Sequence, residues 1–243
     1  MEKLSSDELL LLERMESRRE IRNIMGRISH DYSIKQEAAV YDRYFSRRDD
    51  VCLGLNNGYY KGAKAVAGYY WGLGEEIALS SALIQKKFPD KLGSLSAEKV
   101  SGVGMMTYLP FDSHVIEIAG DGLTAKGIWN VRGSYCLLET GGPVAYWTFG
   151  WAAGDFIWEN NEWKIWHLQL VYNINHQCGV GFCDKPKAFE PVPGFEAIGK
   201  FKLPEPNVSR KVMDCFYPDR PRTMSPPCPV PYDKFENTFS YGI

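Results

Sequence analysis

The residue best suited to proton transfer in this sequence of 243 residues is His167. A histidine with a pKa near neutrality can give or take a proton at working pH, above all inside an apolar cavity. His167 lies in residues 163–173, whose period of two predicts a strand. In a regular strand it shares a face with three neighbours: Trp163, Ile165 and Gln169. If that face is concave, we expect His167 to project into a cavity; the alternative is a core histidine satisfied by a neighbouring polar group.

Asp31 and Tyr32, at the end of the first predicted helix, are the second group with chemical potential. A carboxylate gains nothing from the helix dipole at this end, so Asp31 needs either a nearby base or plain exposure to solvent. Pairing with His167 would fix the histidine tautomer and raise its basicity. Tyr32 could donate a hydrogen bond to a substrate carbonyl, or it could simply fill the core. We therefore predict His167, Asp31 and Tyr32 as catalytic residues.

Further residues are predicted to bind the substrate because they lie on the apolar helix face, on strands or at a strand mouth. These are Ile28, Tyr108, His114, Trp129, Trp147 and Gln169. Aromatic residues at alternating strand positions usually fill a core, but in a cone-shaped sheet they also form flat pocket walls.

The elements that position these residues are predicted from capping and periodicity. Ser5 and Glu8 form a capping box, and apolar residues recur on one face up to Tyr32. Two more helices are predicted over residues 37–45 and 63–88. The period then changes to two, which predicts strands over residues 103–109, 115–119, 124–133, 144–159 and 163–173. Tight turns such as Asn160-Asn161 imply antiparallel pairing, and helices followed by such strands indicate an α+β fold.

The last part of the chain differs in composition from the rest. Eleven of the fourteen prolines lie in residues 186–243, together with many aromatic residues that a disordered tail would not carry. We predict a domain over residues 1–185 and a Pro-rich C-terminal extension over 186–243 that packs on it or on a neighbouring subunit. The aromatic extension and an open convex sheet face predict a homo-oligomer, a dimer or a trimer.

Composition excludes several classes of partner. A net charge of −2 gives no basic excess for nucleic acid, and the apolar runs are too short to span a bilayer. The first residues do not resemble a secretion signal, so we expect a cytoplasmic protein with six free, buried thiols. The spacing of His176, Cys178 and Cys183 fits no common zinc site, so we expect no metal. The phosphate- and dinucleotide-binding motifs are missing from the sequence, so we expect no nucleotide cofactor.

Three segments in a fixed order resemble a known group of families. The first is the helix from Glu20 to Arg27, followed about twenty residues later by Tyr44-Phe45, and the second is Tyr59-Tyr60-Lys61-Gly62. The third is the run from Val115 to Gly127 (VIEIAGDGLTAKG), which closes with Asn161 to His167 (NEWKIWH). This arrangement resembles the SnoaL-like polyketide cyclases of the nuclear transport factor 2-like superfamily, over about residues 15–175. The resemblance implies a cone-shaped, curved antiparallel sheet wrapped around three N-terminal helices, with a deep and mostly apolar cavity.

The resemblance leaves function open, because relatives include polyketide cyclases, ketosteroid isomerases, dehydratases and non-enzymatic binding modules. The isomerase residues do not carry over. Ile28 follows Arg27 where those enzymes have a tyrosine, and residues 51–55 contain no carboxylate.

Our leading hypothesis is a cofactor-independent acid–base enzyme, of dehydratase, isomerase or cyclase type, that acts on a small hydrophobic and cyclic molecule. The alternatives are a non-catalytic binding or assembly module, and a purely structural cone filled with side chains.

Overall fold

The computed structural model describes residues 4–181, 184, 190, 192–210 and 226–243. The first helix, α1 (Ser6–Ser33), begins with the predicted capping box. The Ser5 hydroxyl accepts a hydrogen bond from the Glu8 amide, and the Glu8 carboxylate accepts one from the Ser5 amide. This exchange satisfies backbone groups that a helix start otherwise leaves unpaired.

The other helices also lie in the first half of the chain. A 3₁₀ turn (Glu37–Ala39) precedes the remaining helices, which are α2 (Val40–Tyr44), α3 (Ala63–Lys87), α4 (Pro89–Leu92) and α5 (Ala97–Val100). The predicted third helix is thus confirmed, whereas α4 and α5 were not predicted. Later 3₁₀ turns span Ile198–Lys200 and Phe235–Asn237.

The strands form one curved sheet of eight strands within the described residues. They are β1 (Cys52–Leu55), β2 (Gly58–Lys61), β3 (Met106–Tyr108), β4 (Phe111–Ile118), β5 (Thr124–Glu139), β6 (Gly142–Glu159), β7 (Glu162–Gln177) and β8 (Val208–Ser209). Their order is β3-β5-β6-β7-β1-β2-β8, with β4 also paired to β5. All pairs are antiparallel except β1 with β7. The α+β class is confirmed, although the sheet is mixed rather than wholly antiparallel.

Each face of the sheet carries a different layer. The concave face packs on the helices, and Trp129, Phe156 and Ile165 share one core with Ile21 and Ile28 of α1. On the convex face, the C-terminal Tyr241 packs with Trp151, Ala153 and Val171 in a separate cluster.

A bulge in β7 changes which residues share a face. Asp155 of β6 pairs with His167, but the next residue, Phe156, pairs with Ile165, so Trp166 is an extra residue in β7. Ile165 lies in the helix-facing core, and beyond the bulge Leu168 takes that role. The prediction that His167 shares a face with Ile165 is therefore wrong, because one added residue inverts the alternation of a strand.

The same correction applies to Gln169, which lies on the convex face with His167. Its side-chain amide donates a hydrogen bond to the carbonyl of Tyr241, and its oxygen accepts one from Arg210.

The described parts of the C-terminal extension pack on this chain. Phe195 and Ile198 contact Ile84 and Leu138, and Tyr241 covers the convex face. The division at residue 185 stays a prediction, and Phe189, Phe216 and Tyr217, which contributed to it, lie outside the described residues.

Four of the six cysteines are described, and all four are free thiols. Cys52 is buried, Cys136 and Cys178 are half-buried, and Cys228 is exposed, so among these four the expectation of a buried thiol is correct only for Cys52. Cys183 and Cys215 lie outside the described residues. No group of three or more metal-binding side chains occurs in the part of the chain that is described.

In the described ranges, every helix is too short or too polar to cross a bilayer.

Candidate functional site

A cavity of about 170 Å³ lies between the end of α1, the middle of α3 and the concave face of the sheet. Its walls combine apolar, phenolic and charged side chains. They include Tyr32, Lys35, Glu37, Tyr69, Leu73, Glu76, Ile77, Thr107, Leu109, Tyr135, Leu137, Leu170 and Tyr172. Mostly apolar walls with a few polar groups are typical of small-molecule sites.

The cavity adjoins a wider, open pocket of about 620 Å³. Four residues line both spaces: Tyr69, Glu76, Leu170 and Tyr172. Residues 201–205 of the C-terminal extension form part of the wall of the open pocket. This segment of the C-terminal extension therefore lies close to the cavity.

Three tyrosines give the cavity its hydrogen-bond donors. Burial raises the pKa of Tyr32, Tyr69 and Tyr172, so all three phenols stay protonated at any physiological pH. The hydroxyl of Tyr32 lies 3.4 Å from that of Tyr70, which steadies its position. The predicted role of Tyr32 as a donor in a pocket is compatible with this placement.

Glu37 is the carboxylate that stands out in the cavity wall. Its Oε1 atom accepts a hydrogen bond of 3.2 Å from Lys35, which also donates to Thr107. Its Oε2 atom is buried and has no hydrogen-bond partner among the described residues. Burial raises the pKa of Glu37, and the charge of Lys35 offsets this effect only in part.

Glu76 lies on α3, across from this pair. Burial raises the pKa of Glu76, and the nearby charge of Glu37 adds to the effect, whereas Lys35 opposes it. Lys35 thus neutralises one of two carboxylates that share a small space. Its side chain is only 6% exposed, and its left-handed backbone (φ 61°) turns the chain sharply at the end of α1.

The structure does not bring Asp31 and His167 together. Asp31 accepts hydrogen bonds from Arg43 at 2.7 Å and from Tyr44 at 2.9 Å. The predicted pairing with His167 is wrong, because a guanidinium from α2 already satisfies the carboxylate. Asp31 is an anchor between two helices.

His167 instead belongs to a buried polar network on the convex face. Asp155 is the hub of this network. It accepts hydrogen bonds from Lys126 (2.6 Å) and Ser240 (2.8 Å), and it lies 2.7 Å from Nδ1 of His167. The amide of Tyr241 donates to the same carboxylate at 2.8 Å. The network ties the C-terminal segment to the sheet.

The electrostatics of this network fix its charge state. Burial raises the pKa of Asp155, but the hydrogen bond to His167 and the charge of Lys126 together outweigh burial and lower it. Burial lowers the pKa of Lys126, whereas Asp155 raises it in part. Lys126 also lies 4.2 Å from the ring of Phe235 and 4.9 Å from that of Phe239, which favours its charged form.

The remaining predicted binding residues lie outside the cavity. Ile28 and Trp129 are buried in the main core, where Trp129 packs on Phe156. Tyr108, His114 and Trp147 are exposed, so their predicted binding role finds no support in this cavity. His114 lies in a bulge of β4, where the pairing register shifts between Asp112 and Val115, and this bulge accounts for its exposure.

Sequence reasoning missed Lys35, Glu37, Tyr69, Glu76 and Tyr172. One pattern could have found part of the set, since Tyr69 and Glu76 lie seven residues apart and so share a face of α3. Lys35 and Glu37 follow the helix in a short turn, where periodicity carries no information about direction.

Comparisons with known proteins show similarity of fold only. No family model and no curated protein matches the chain. A type 2 hexachlorocyclohexane dehydrochlorinase is 18% identical, with 73% of this chain and 99% of that chain covered and a TM-score of 0.47. A putative scytalone dehydratase from Novosphingobium aromaticivorans is 10% identical (74% and 96% covered, TM-score 0.46). A nuclear transport factor 2-like protein from Salmonella enterica is 14% identical (69% and 96% covered, TM-score 0.43).

Proposed function

We propose that this protein is an acid–base enzyme that acts on a small, largely hydrophobic molecule held in the cavity beside Glu37. The observation that carries the proposal is the unpartnered, buried Oε2 atom of Glu37, a residue that lines the cavity. A buried polar atom without a partner costs about 1–3 kcal/mol, and a bound molecule that reaches it through a small movement of the wall and offers a proton would recover this cost.

Glu37 has the properties of a proton-transfer group. Its raised pKa brings it closer to the working pH, where a general base is most effective. The Lys35 ammonium balances its charge and holds its other oxygen, so the carboxylate keeps one orientation. In this proposal Glu37 takes the role that the sequence suggested for His167.

Tyr32 and Tyr172 supply the complementary donors. Glu37 removes a proton from a carbon next to a carbonyl, and the electron pair moves to the carbonyl oxygen, which accepts a hydrogen bond from a phenol. The protonated Glu37 then returns the proton, either to another carbon or to a departing hydroxyl group. The first outcome is an isomerisation and the second is a dehydration, and both use the same two kinds of group.

Proton exchange tests the proposal without knowledge of the product. We would incubate the protein with a panel of small cyclic ketones and hydroxyketones in D₂O and follow loss of the α-proton by NMR. Positioned acid–base groups contribute about 10²–10⁴-fold, so Glu37→Gln should lower the exchange rate by that factor. Tyr32→Phe should lower it less, because the Tyr172 phenol remains.

Glu13→Gln, on an exposed part of α1, is the matched control and should exchange at the wild-type rate. Ligands that bind in the cavity but never exchange, with the wild type and Glu37→Gln alike, would assign the protein to the non-catalytic binding modules instead.

A further inference from the structure

The first turns of α1 carry an apolar surface that the described part of the chain leaves uncovered. Leu11 is 59% exposed and Met15 is 57% exposed, and the buried face of the helix begins only at Ile21. Leu9 and Leu12 beside them are nearly as exposed. Several large apolar side chains clustered on one exposed helix indicate an interaction surface.

Spacing places part of this surface in a single seam. Five exposed residues, separated alternately by three and four positions, lie on one side of the helix: Glu8, Leu11, Met15, Arg18 and Arg22. Alternation of three and four is the repeat with which two helices pack along a common seam. We call these five residues the α1 seam.

The charges of the α1 seam complement those of a second, reversed copy. An antiparallel partner centred between Leu11 and Met15 sets Leu11 against Met15, and Glu8 against Arg18. Asp7 and Arg19, which flank the seam, oppose each other in the same way. A parallel partner would instead place Glu8 against Glu8 and Arg18 against Arg18.

We propose that the α1 seam is an interface between two copies of this chain, whose α1 helices pack antiparallel. In this arrangement a second copy supplies the apolar partners of Leu11 and Met15 and the opposite charges for Glu8 and Arg18. This interface is independent of the cavity and of its chemistry.

Two contacts within the chain must yield, and both are weak. Arg18 lies 3.3 Å from Glu117, in a pair that is half exposed, and Glu8 closes the exposed capping box with Ser5. Exposed ion pairs contribute at most about 1 kcal/mol to stability, so replacing these two contacts by contacts with a second copy costs little free energy. Around Trp151, Ala153 and Val171 the convex face, by contrast, is already covered by Tyr241 of the same chain.

Charge-reversal variants of the full chain test the proposal. Their molecular mass is measured by light scattering coupled to size-exclusion chromatography. The wild type should have twice the chain mass of 27.6 kDa. Glu8→Arg and Arg18→Glu should each give the single mass, because each places like charges opposite each other. The combined variant Glu8→Arg/Arg18→Glu should recover the double mass, as should an equal mixture of the two single variants.

Glu13→Arg, on the opposite side of α1, is the control and should keep the double mass. Circular dichroism of each variant excludes loss of the helix as the cause, and Arg18→Glu leaves the capping box intact. A monomeric wild type, or a dimer whose mass neither single variant changes, overturns the proposal.

Discussion

Replacement of Asp155 by asparagine probes the buried network at its hub. The carboxylate and the Lys126 ammonium have no solvent exposure, and the two groups lie 2.6 Å apart. Asparagine keeps the size of the side chain but removes its charge, which leaves the ammonium buried without a counter-charge. Loss of one partner from a buried pair costs about 3–5 kcal/mol, so we expect the free energy of unfolding to fall by that amount.

A second substitution separates charge from packing. Lys126→Met removes the uncompensated charge and keeps an unbranched side chain against the rings of Phe235 and Phe239. The double variant Lys126→Met/Asp155→Asn should therefore be more stable than Asp155→Asn alone. Urea unfolding followed by far-UV circular dichroism measures each free energy, with the exposed Asp90→Asn as control. A loss below about 1 kcal/mol for Asp155→Asn, or further destabilisation in the double variant, would refute the reasoning.

Three further predictions concern the same layer of the fold. The fold lowers the pKa of Asp155, so the carboxylate contributes its full stabilisation above the ordinary pKa of 3.8, and this contribution declines as the pH falls below that value. The acid unfolding of Asp155→Asn should therefore depend less on pH than that of the wild type. Cys52, whose pKa burial raises to about 11, should react with iodoacetamide far more slowly than the exposed Cys228, as peptide mass spectrometry can show. Gly150→Ala should lower the thermal midpoint by several degrees, because its Cβ would collide with the carbonyl oxygen of Val171, whereas alanine at Gly68 of α3 meets no atom.

Local patterns in the sequence were sufficient to predict most elements of the fold. The Ser5–Glu8 capping box starts α1 as expected, and Asn160 and Asn161 form the turn between β6 and β7 with positive φ angles of 53° and 62°. Such features depend on neighbours in sequence, so they can be read before the fold is known. Tyr32 lies on the buried face of α1, as its spacing predicts, because the helix that carries it is regular.

The candidate site depended on features that are not local. The extra residue at Trp166 has no distinct pattern of its own, and it reversed the face on which His167 lies. Asp31 was assigned to a histidine because its true partner, Arg43, belongs to another helix. Glu37 was assigned to the start of the second helix but not to the site, because its neighbours in sequence do not reveal that the surrounding chain will bury it.

The position of Trp166 has a consequence for how variants of this chain are compared. Deletion of this single residue would bring Ile165 next to His167, with Phe156 still opposite Ile165 and Asp155 still opposite His167. The strand would become regular, and the imidazole would stay on the convex face, because a bulge holds one residue more than the ladder needs. When related sequences are aligned, a gap of one position at Trp166 therefore leaves both layers of the sheet as they are.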